Sequence, residues 1–129
     1  MKLITWNIDG LDKTSETINR TNRAIKIMKE YDIIFVQEVT ANTNHLIWTQ
    51  MKEYFFYPGI APNTWNGYHV AILLKKSIVK NGDLRMVKTP DFVRFNPITT
   101  YTPFINSTMG RGVLCTAFTS IDEKRHACS

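Results

Sequence analysis

The sequence contains no long uninterrupted apolar run. No stretch approaches the roughly 20 apolar residues that a membrane-spanning helix requires. Met1 and Lys2 are followed by only a few apolar residues before Asn7 and Asp9, which is not the pattern of a signal peptide. Internal repeats and low-complexity segments are absent as well. We therefore expect a globular domain that has no membrane partner.

Cysteine is also scarce, and its scarcity bears on the compartment. Cys115 and Cys128 are the two cysteines of the chain, too few for a disulfide framework. Cys115 falls in an apolar stretch, so we expect a buried, reduced thiol at that position. Because reduced cysteines are the rule inside cells, the expected location is intracellular.

The overall composition is that of an ordinary folded domain. The chain has 129 residues, of which 43% are hydrophobic and 21% are charged. This length suits one domain with a core of normal size, and this composition argues against disorder. The formal net charge of +5 and the pI of about 9.3 are compatible with an anionic partner such as nucleic acid. The charge is weak support by itself, because the basic residues are scattered along the chain.

Residues 2–12, K-L-I-T-W-N-I-D-G-L-D, predict a buried strand that ends in polar residues. Asn7 and Asp9 lie two positions apart, so in extended backbone their side chains point to the same side. Gly10 permits a tight turn or the close approach of a ligand. The alternative interpretation is a strand that ends in an Asx turn, since Asn, Asp and Gly all favour turns.

A second run, residues 32–39 with the sequence D-I-I-F-V-Q-E-V, is typical of a strand covered on both faces. Between the two runs, residues 14–31 predict a helix that Ser15 or Thr14 caps. Its apolar positions recur at near-helical spacing and are Ile18, Ala24, Ile25 and Met28. A strand–helix–strand unit of this kind makes its two strands parallel.

Polar residues follow both predicted strands at the point where each strand ends. Parallel strands place their carboxyl ends at one edge of a sheet, where open α/β sheets bind ligands. Asn7, Asp9 and Glu38 are therefore expected to converge. Two carboxylates and an amide make a set of oxygen donors that suits a hard cation, Mg²⁺ or Mn²⁺.

A second helix is predicted after the polar residues 40–44. Its apolar stripe consists of Ile47, Met51, Tyr54 and Phe55. Trp48 lies beside this stripe, and burial preference favours a core position for it over a base-stacking platform.

Further strands are predicted in the rest of the chain, and the last of them begins within residues 125–129. Residues 68–74 form a continuous apolar run, and residues 78–87 form a second strand with an Asn-Gly turn or bulge inside it. Residues 113–118 predict the third. Residues 88–104 are interrupted by prolines and have the character of an insertion, either an extended edge hairpin or a loop.

Four motifs resemble a known family. Residues 6–12, W-N-I-D-G-L-D, with residues 35–39, F-V-Q-E-V, resemble the endonuclease/exonuclease/phosphatase superfamily of metal-dependent phosphodiesterases and phosphatases. Residues 67–77, G-Y-H-V-A-I-L-L-K-K-S, and residues 109–115, M-G-R-G-V-L-C, are similar to its 5′-tyrosyl-DNA phosphodiesterase branch. The resemblance implies Mg²⁺-dependent removal of tyrosine, such as that of a trapped topoisomerase, from DNA 5′ ends in DNA repair.

The resemblance also implies a role for each matched residue. Asn7 would be the catalytic residue that orients or polarises the scissile phosphate. Glu38 would bind Mg²⁺ directly, and Asp9 would bind or steer the metal, directly or through water. The residues that would border the DNA 5′ end and the scissile phosphate are Asn7, Ile8, Asp9, Gly10, Leu11, Tyr68 and Arg111.

The resemblance covers about the first half of the family's domain. The family's later Ser-His-Leu-Glu, Gly-Asp-x-Asn and Ser-Asp-His motifs do not occur, and the three histidines match none of them. The resemblance thus implies a partial domain over residues 1–129: the N-terminal half of a four-layered α/β sandwich, truncated, with helices on one face of a mixed sheet. The other face is expected to be uncovered, so that the isolated chain would self-associate. Catalysis by this chain alone is expected to be absent or weak.

Two alternatives remain open at this stage. One is a sibling activity of the same superfamily, such as an abasic-site endonuclease or a phosphoinositide phosphatase. The other is a non-catalytic fragment or splice product that only binds. For the repair enzyme, the resemblance implies a location in the nucleus, with the cytoplasm as a second compartment.

Overall fold

The computed structural model describes residues 1–10, 15–60, 69–88, 91–94, 112–121 and 124–128. In chain order, the helices and strands within these ranges are β1 (Leu3–Asn7), α1 (Ser15–Met28), β2 (Ile33–Val39), α2 (Ala41–Gln50), β3 (Tyr54–Ile60), β4 (His69–Lys75), β5 (Asp91–Arg94), β6 (Gly112–Thr119) and β7 (Lys124–Cys128). Neither α1 nor α2, the two helices in the described ranges, has the length and apolar character needed to span a bilayer.

The first sheet is mixed, and in the described part of the chain its strand order is β1-β2-β4-β3. β1 and β2 run parallel, from Leu3 opposite Ile33 to Asn7 opposite Gln37. β4 lies antiparallel to both of its neighbours. The predicted parallel pair joined by a helix is confirmed, and so are the α/β fold class and the mixed sheet. β4 also confirms the strand predicted at residues 68–74, apart from Tyr68, which lies outside the described residues.

Both helices contribute to an apolar core on one face of this sheet. α1 buries residues three or four positions apart, as an amphipathic helix does, and these are Thr17, Thr21, Ala24, Ile25 and Met28. α2 contributes Ile47, and the sheet contributes alternate residues of β2 and β4, among them Ile34 and Leu73. The predicted position of the helices on one face of the sheet is confirmed.

The opposite face of the first sheet packs on a second sheet, whose order is β5-β6-β7. The core between the two sheets includes Ile33, Ile72, Leu74, Leu114 and Phe118. The prediction of an uncovered apolar face is therefore wrong for the part formed by β2 and β4, because strands of the second sheet belong to this chain. Within the described ranges this cover does not extend over β1, where Leu3 is 54% exposed.

The second helix is shorter than its apolar pattern indicates. α2 ends at Gln50, and Tyr54 and Phe55 belong to β3. The predicted helical stripe through these two residues is therefore wrong. Aromatic residues favour strands, and the pairing of β3 with β4 along its full length outweighs the helical spacing of these two residues from Ile47.

The core prediction also fails for two side chains. Trp48 is 64% exposed, with its ring 6.4 Å from that of Phe56, and Ile18 is 50% exposed. α2 buries Thr43 and Ile47, so the next residue along the helix is rotated by about 100° out of the core. Ile18 follows the buried Thr17 of α1 and is turned out of the core by the same rotation of about 100°.

Residues 78–87 form short 3₁₀ turns rather than the predicted strand. The turns are Lys76–Ile78, Lys80–Gly82 and Leu84–Met86. Asn81 and Gly82 both have a φ of 58°, which confirms the Asn-Gly turn but is incompatible with a continuous strand. Val79 and Val87 keep isolated bridges to the second sheet.

β6 confirms the strand predicted at residues 113–118. Cys115 in this strand is disulfide-bonded, so the predicted reduced thiol is wrong. Cys115 lies opposite Cys128, the other cysteine of the chain, in the antiparallel pair of β6 and β7. Neighbouring strands bring opposite residues within the distance that a disulfide spans, and this register is not visible in the sequence.

β5 lies inside the predicted insertion, residues 88–104, and is an outer strand of the second sheet, antiparallel to β6. Residues 95–104 lie outside the described residues.

Candidate metal and phosphate site

The carboxyl ends of β1 and β2 lie side by side, and their pairing continues past the last residue of β1. The Ile8 N–H donates to the Gln37 carbonyl oxygen over 3.2 Å, and the Gly10 N–H donates to the Glu38 carbonyl oxygen over 2.9 Å. These two bonds hold the N-I-D-G segment against the end of β2. The three residues predicted to hold metal and phosphate are thus brought to one edge of the sheet.

Asn7 and Asp9 form a turn rather than continuing the strand. The Asp9 N–H donates to Oδ1 of Asn7 over 2.9 Å, and Asp9 has a φ of 47°. Asn7 and Asp9 therefore do not lie in extended backbone as predicted, and the alternative, an Asx turn, describes the structure. Because Oδ1 of Asn7 accepts from the backbone, its NH₂ group is oriented as the outward donor.

Glu38 lies in a β-bulge. Val36 pairs with Ala71 and Val39 with His69, so two residues of β2 lie opposite one residue of β4. Glu38 has a left-handed backbone with a φ of 58°. Regular alternation would send Val36 and Val39 to opposite faces, yet both are buried in the helix-side core. The extra residue therefore resets the alternation and redirects the Glu38 side chain.

The Glu38 carboxylate is half-buried and has no partner within the described ranges, whether by hydrogen bond or by ion pair. A partly buried carboxylate that no donor or cation satisfies carries a desolvation cost. It is therefore the group at this edge with the greatest capacity to bind a cation.

Gly10 is buried where the turn after β1 meets the start of α2. A methyl group at this position would lie 2.5 Å from the Glu38 carbonyl oxygen and 3.0 Å from Oγ1 of Thr43. Thr43 is itself fixed, because its Oγ1 accepts a hydrogen bond of 2.9 Å from the N–H of Thr40, the N-cap of α2. Glycine is thus required at this position for steric reasons.

Arg20 of α1 is a residue of this site that the sequence reasoning missed. Its Nη2 donates to the Asp9 carbonyl oxygen over 2.9 Å and lies 3.7 Å from Oδ2 of Asp9. The available signal was helical spacing: Arg20 follows the buried Thr17 by three positions and precedes the buried Ala24 by four. A long basic side chain on the sheet-facing side of a helix can reach the edge of that sheet.

The described residues fit the chemistry of a hard divalent cation at this edge. Asp9, Glu38 and Asn7 supply oxygen donors, and Mg²⁺ commonly takes only one or two protein carboxylates while it retains several waters. Across the ranges that the structure describes, no group of three or more His, Cys, Asp or Glu side chains could hold a metal ion. The small donor set therefore suits Mg²⁺ or Mn²⁺, but not a site closed by protein ligands alone.

The remaining predicted site residues divide into two groups. Ile8 is 2% exposed and its side chain belongs to the helix-side core, so it can offer only its backbone to a ligand. Leu11, Tyr68 and Arg111 lie outside the described residues, and their predicted places beside the phosphate stay predictions.

The comparisons with known proteins agree with this architecture. The model of the endonuclease/exonuclease/phosphatase family matches residues 4–117, and the chain belongs to this family. Tyrosyl-DNA phosphodiesterase 2 of Bos taurus is 32% identical to it over 114 residues, which are 87% of this chain and 26% of that protein. The Homo sapiens protein of the same name is 32% identical over 115 residues, 88% of this chain and 26% of the relative. The chain thus spans about a quarter of the length of these curated relatives.

Solved structures show the same fold. The crystal structure of Danio rerio TDP2 in complex with a single-strand DNA product superimposes with a TM-score of 0.75 at 24% identity. The match covers 99% of this chain and 44% of that one. At this level of identity, the superposition establishes the fold of the chain.

Proposed function

We propose that this chain provides the metal- and phosphate-binding part of the active site of a Mg²⁺-dependent phosphodiesterase that removes tyrosine from DNA 5′ ends. The observation that carries the proposal is the meeting of Asn7, Asp9 and the Glu38 carboxylate at the carboxyl edge of β1 and β2, where Glu38 has no partner among the described residues. The family supports a phosphodiesterase, and the similarity to tyrosyl-DNA phosphodiesterase 2 supports the choice of substrate.

Each residue has a role that follows from its contacts. Glu38 would hold Mg²⁺, or Mn²⁺, directly, because its carboxylate has no partner among the described residues. Asp9 would bind or steer the metal through water, because its carboxylate already faces Arg20. A bound divalent ion would withdraw charge from the phosphoryl oxygens and align water for in-line attack.

Asn7 would act on the phosphate rather than on the metal. Its Oδ1 is occupied by the Asp9 N–H, which leaves the NH₂ group to donate to a phosphoryl oxygen. Gly10 would contribute by allowing the turn to pack closely against the Glu38 carbonyl oxygen and Thr43. Leu11, Tyr68 and Arg111 would complete the side of the site that contacts the DNA 5′ end.

We also propose that residues 1–129 form part of a larger catalytic domain, whose remainder supplies the acid and the histidine of the family's later motifs. Catalysis by the chain alone would then be absent or weak, since losing such groups costs about 10² to 10⁴ in rate. The enzyme would act in DNA repair, in the nucleus and the cytoplasm. Self-association of the isolated chain would be limited to the surface of β1 around Leu3, and sedimentation velocity tests it.

The experiment is Mg²⁺-dependent release of tyrosine from a 5′-phosphotyrosyl oligonucleotide, with binding of the same oligonucleotide measured in Ca²⁺. An abasic-site duplex and a 3′-phosphotyrosyl oligonucleotide are the comparison substrates. The Glu38→Gln variant removes the proposed ligand, and Glu53→Gln, on the exposed turn before β3, is its matched control.

Preferential binding of the 5′-phosphotyrosyl end that requires Glu38 supports the proposal. Tyrosine release that appears only when the chain is extended into the later motifs supports the partial-domain proposal. Cleavage of the abasic duplex instead would assign the sibling activity. Equal binding of all three substrates, unchanged by Glu38→Gln, would overturn the proposed function.

A further inference from the structure

We propose that Arg20 is a positioning residue that holds the Asp9 turn in the conformation required for metal binding, and that it acts through the Asp9 backbone carbonyl rather than through the Asp9 carboxylate. The effect of Arg20 on metal binding rests on the proposed function. The effect of Arg20 on the conformation of the Asp9 turn concerns the metal-free chain and can be tested separately.

The two Arg20–Asp9 contacts differ in kind. The separation of 2.9 Å between Nη2 and the carbonyl oxygen is that of a well-formed hydrogen bond. The separation of 3.7 Å between Nη2 and Oδ2 is beyond hydrogen-bonding range and leaves only a Coulombic attraction. That attraction is weak, because the Asp9 side chain is 61% exposed and water screens it. The carbonyl bond is therefore the contact that fixes the geometry.

Asp9 needs such a contact. Its φ of 47° lies in the left-handed region, which is less favourable for a residue with a Cβ than for glycine. Two contacts of the residue oppose this cost: the bond from its N–H to Asn7 Oδ1 and the bond from Arg20 to its carbonyl oxygen. Removing the second releases one end of the peptide that joins Asp9 to Gly10. That peptide sets the direction of the Asp9 side chain relative to Glu38.

Arg20 also has a feature that a stabilising role alone does not account for. Its Nε is buried and makes no hydrogen bond within the described part of the protein. A buried donor without an acceptor is unfavourable, because no hydrogen bond compensates for its loss of hydration. An apolar residue at this position of α1 would avoid that cost, so the arginine is better explained by what it does for the Asp9 turn.

The first readout needs no metal. Amide hydrogen exchange is measured for the Asp9 and Gly10 N–H groups in the wild-type chain and in Arg20→Gln, with the Ile34 amide in β2 as the internal reference. We expect the two turn amides to exchange at least about 10-fold faster in the variant, while the reference is unchanged. Arg23→Gln is the matched control, because Arg23 lies on the exposed side of the same helix.

The second readout is the Mg²⁺ dissociation constant of the folded chain, measured well below its melting temperature. We expect Arg20→Gln to weaken Mg²⁺ binding about 10-fold, as loss of a residue that orients a metal ligand typically does. The effect of Arg20→Gln on the exchange of the turn amides is then measured again in an Asp9→Asn background, which removes the carboxylate charge and keeps the backbone carbonyl. An equal fold-change in both backgrounds supports action through the carbonyl.

The outcomes separate this inference from the proposed function. A wild-type chain that does not bind Mg²⁺ contradicts the proposed function, and the exchange of the turn amides still decides the role of Arg20. Faster exchange throughout α1 and β1 with an unchanged Mg²⁺ constant would make Arg20 merely stabilising and overturn the inference. An effect of Arg20→Gln on the exchange of the turn amides that disappears in the Asp9→Asn background would also overturn it, by assigning the action to the carboxylate.

Discussion

The backbone N–H of Gly10 donates to the carbonyl oxygen of Glu38 over 2.9 Å, so the turn after β1 and the bulge of β2 are held as one unit. Both parts of this unit contain a non-glycine residue with a left-handed backbone, Asp9 at 47° and Glu38 at 58°. Strained backbone of this kind persists where the surrounding structure enforces it, and it concentrates at functional sites. The candidate site is therefore defined by its backbone as much as by its side chains.

The contact between Gly10 and Glu38 leads to the first prediction. Gly10→Ala places a methyl group 2.5 Å from the Glu38 carbonyl oxygen, and we expect a loss of about 1–3 kcal/mol in the free energy of unfolding with weaker Mg²⁺ binding. Gly82→Ala is the matched control. Its φ of 58° costs about 1 kcal/mol, but the new methyl group meets nothing closer than 3.7 Å.

Denaturant unfolding and Mg²⁺ titration of both glycine variants provide the measurement. The control should lose stability and keep its metal affinity. Unchanged Mg²⁺ binding in a folded Gly10→Ala chain would show that the close packing behind the turn is not part of the site.

The bulge at Glu38 leads to the second prediction: a substitution at this position can keep or raise the stability of the fold while it removes metal binding. Glu38→Gly relieves the left-handed strain, so we expect the free energy of unfolding to stay equal or to rise by up to about 1 kcal/mol. The same change should abolish Mg²⁺ binding. Glu53→Gly, at an exposed turn position without a positive φ, should instead cost about 0.5–1 kcal/mol. A clear destabilisation by Glu38→Gly in chemical unfolding would mean that the side chain packs rather than serves a ligand.

Tyr54, which is buried, and Tyr57, which is half-buried, make a matched pair for the third prediction. The Tyr54 hydroxyl lies within 3.4 Å of the carbonyl oxygens of Met28, the last residue of α1, and of Lys29 and Tyr31 beyond it, and the shortest of these contacts is the one to Tyr31. The Tyr57 hydroxyl is buried without a hydrogen-bond partner among the described residues. We expect Tyr54→Phe to cost about 1–3 kcal/mol, because it removes the hydroxyl donor of the Tyr31 carbonyl oxygen. Tyr57→Phe should be neutral or stabilising, and thermal unfolding of both variants checks the contrast. A larger loss for Tyr57→Phe would contradict it.

The same tyrosines predict the response to alkaline pH. Desolvation, with a further contribution from Glu53 and Asp32, raises the pKa of Tyr54 to about 12, and burial raises the pKa of Tyr57 to about 12. The unfolded chain titrates near the ordinary value of 10, so the folded state holds these protons more strongly. The resulting stability is complete below pH 10 and is lost as the pH rises from 10 towards 12.

Unfolding free energies measured at pH 9, 10 and 11 should therefore decline at the upper end. The decline should be shallower in Tyr54→Phe and in Tyr57→Phe. Tyrosine ionisation followed by ultraviolet absorbance gives an independent check. Stability that is equal at pH 9 and 11 in the wild-type chain would contradict the raised pKa values.

The sequence contains enough information for the frame of the site but not for its fine geometry. The parallel pair of β1 and β2 was predictable because apolar runs and a helical period alternate along the chain, and this pairing alone brings Asn7 and Glu38 to one edge. The bulge was not predictable, because it depends on a register between β2 and β4 that no local pattern encodes. Arg20 was missed for a similar reason, since its target is a backbone carbonyl.

Two of the errors elsewhere in the fold have the same origin. Tyr54 follows Ile47 at helical spacing, but pairing between β3 and β4 outweighs that spacing. Trp48 is apolar and yet exposed, because one step along α2 turns it away from the buried Ile47. Cys115 becomes part of a disulfide because of its cross-strand position. A non-local contact decided the outcome for Tyr54 and for Cys115, whereas the exposure of Trp48 follows from which face of α2 packs on the sheet.

The central claim is that Glu38 is the metal ligand at this edge, and calorimetric titration of the full chain with Mg²⁺ and with Mn²⁺ tests it most directly. The wild-type chain and Glu53→Gln should bind one ion with equal affinity, whereas Glu38→Gln should bind at least about 10-fold more weakly with an unchanged melting temperature. Binding of one ion that is the same in all three proteins would contradict the claim, because the metal would then be held elsewhere.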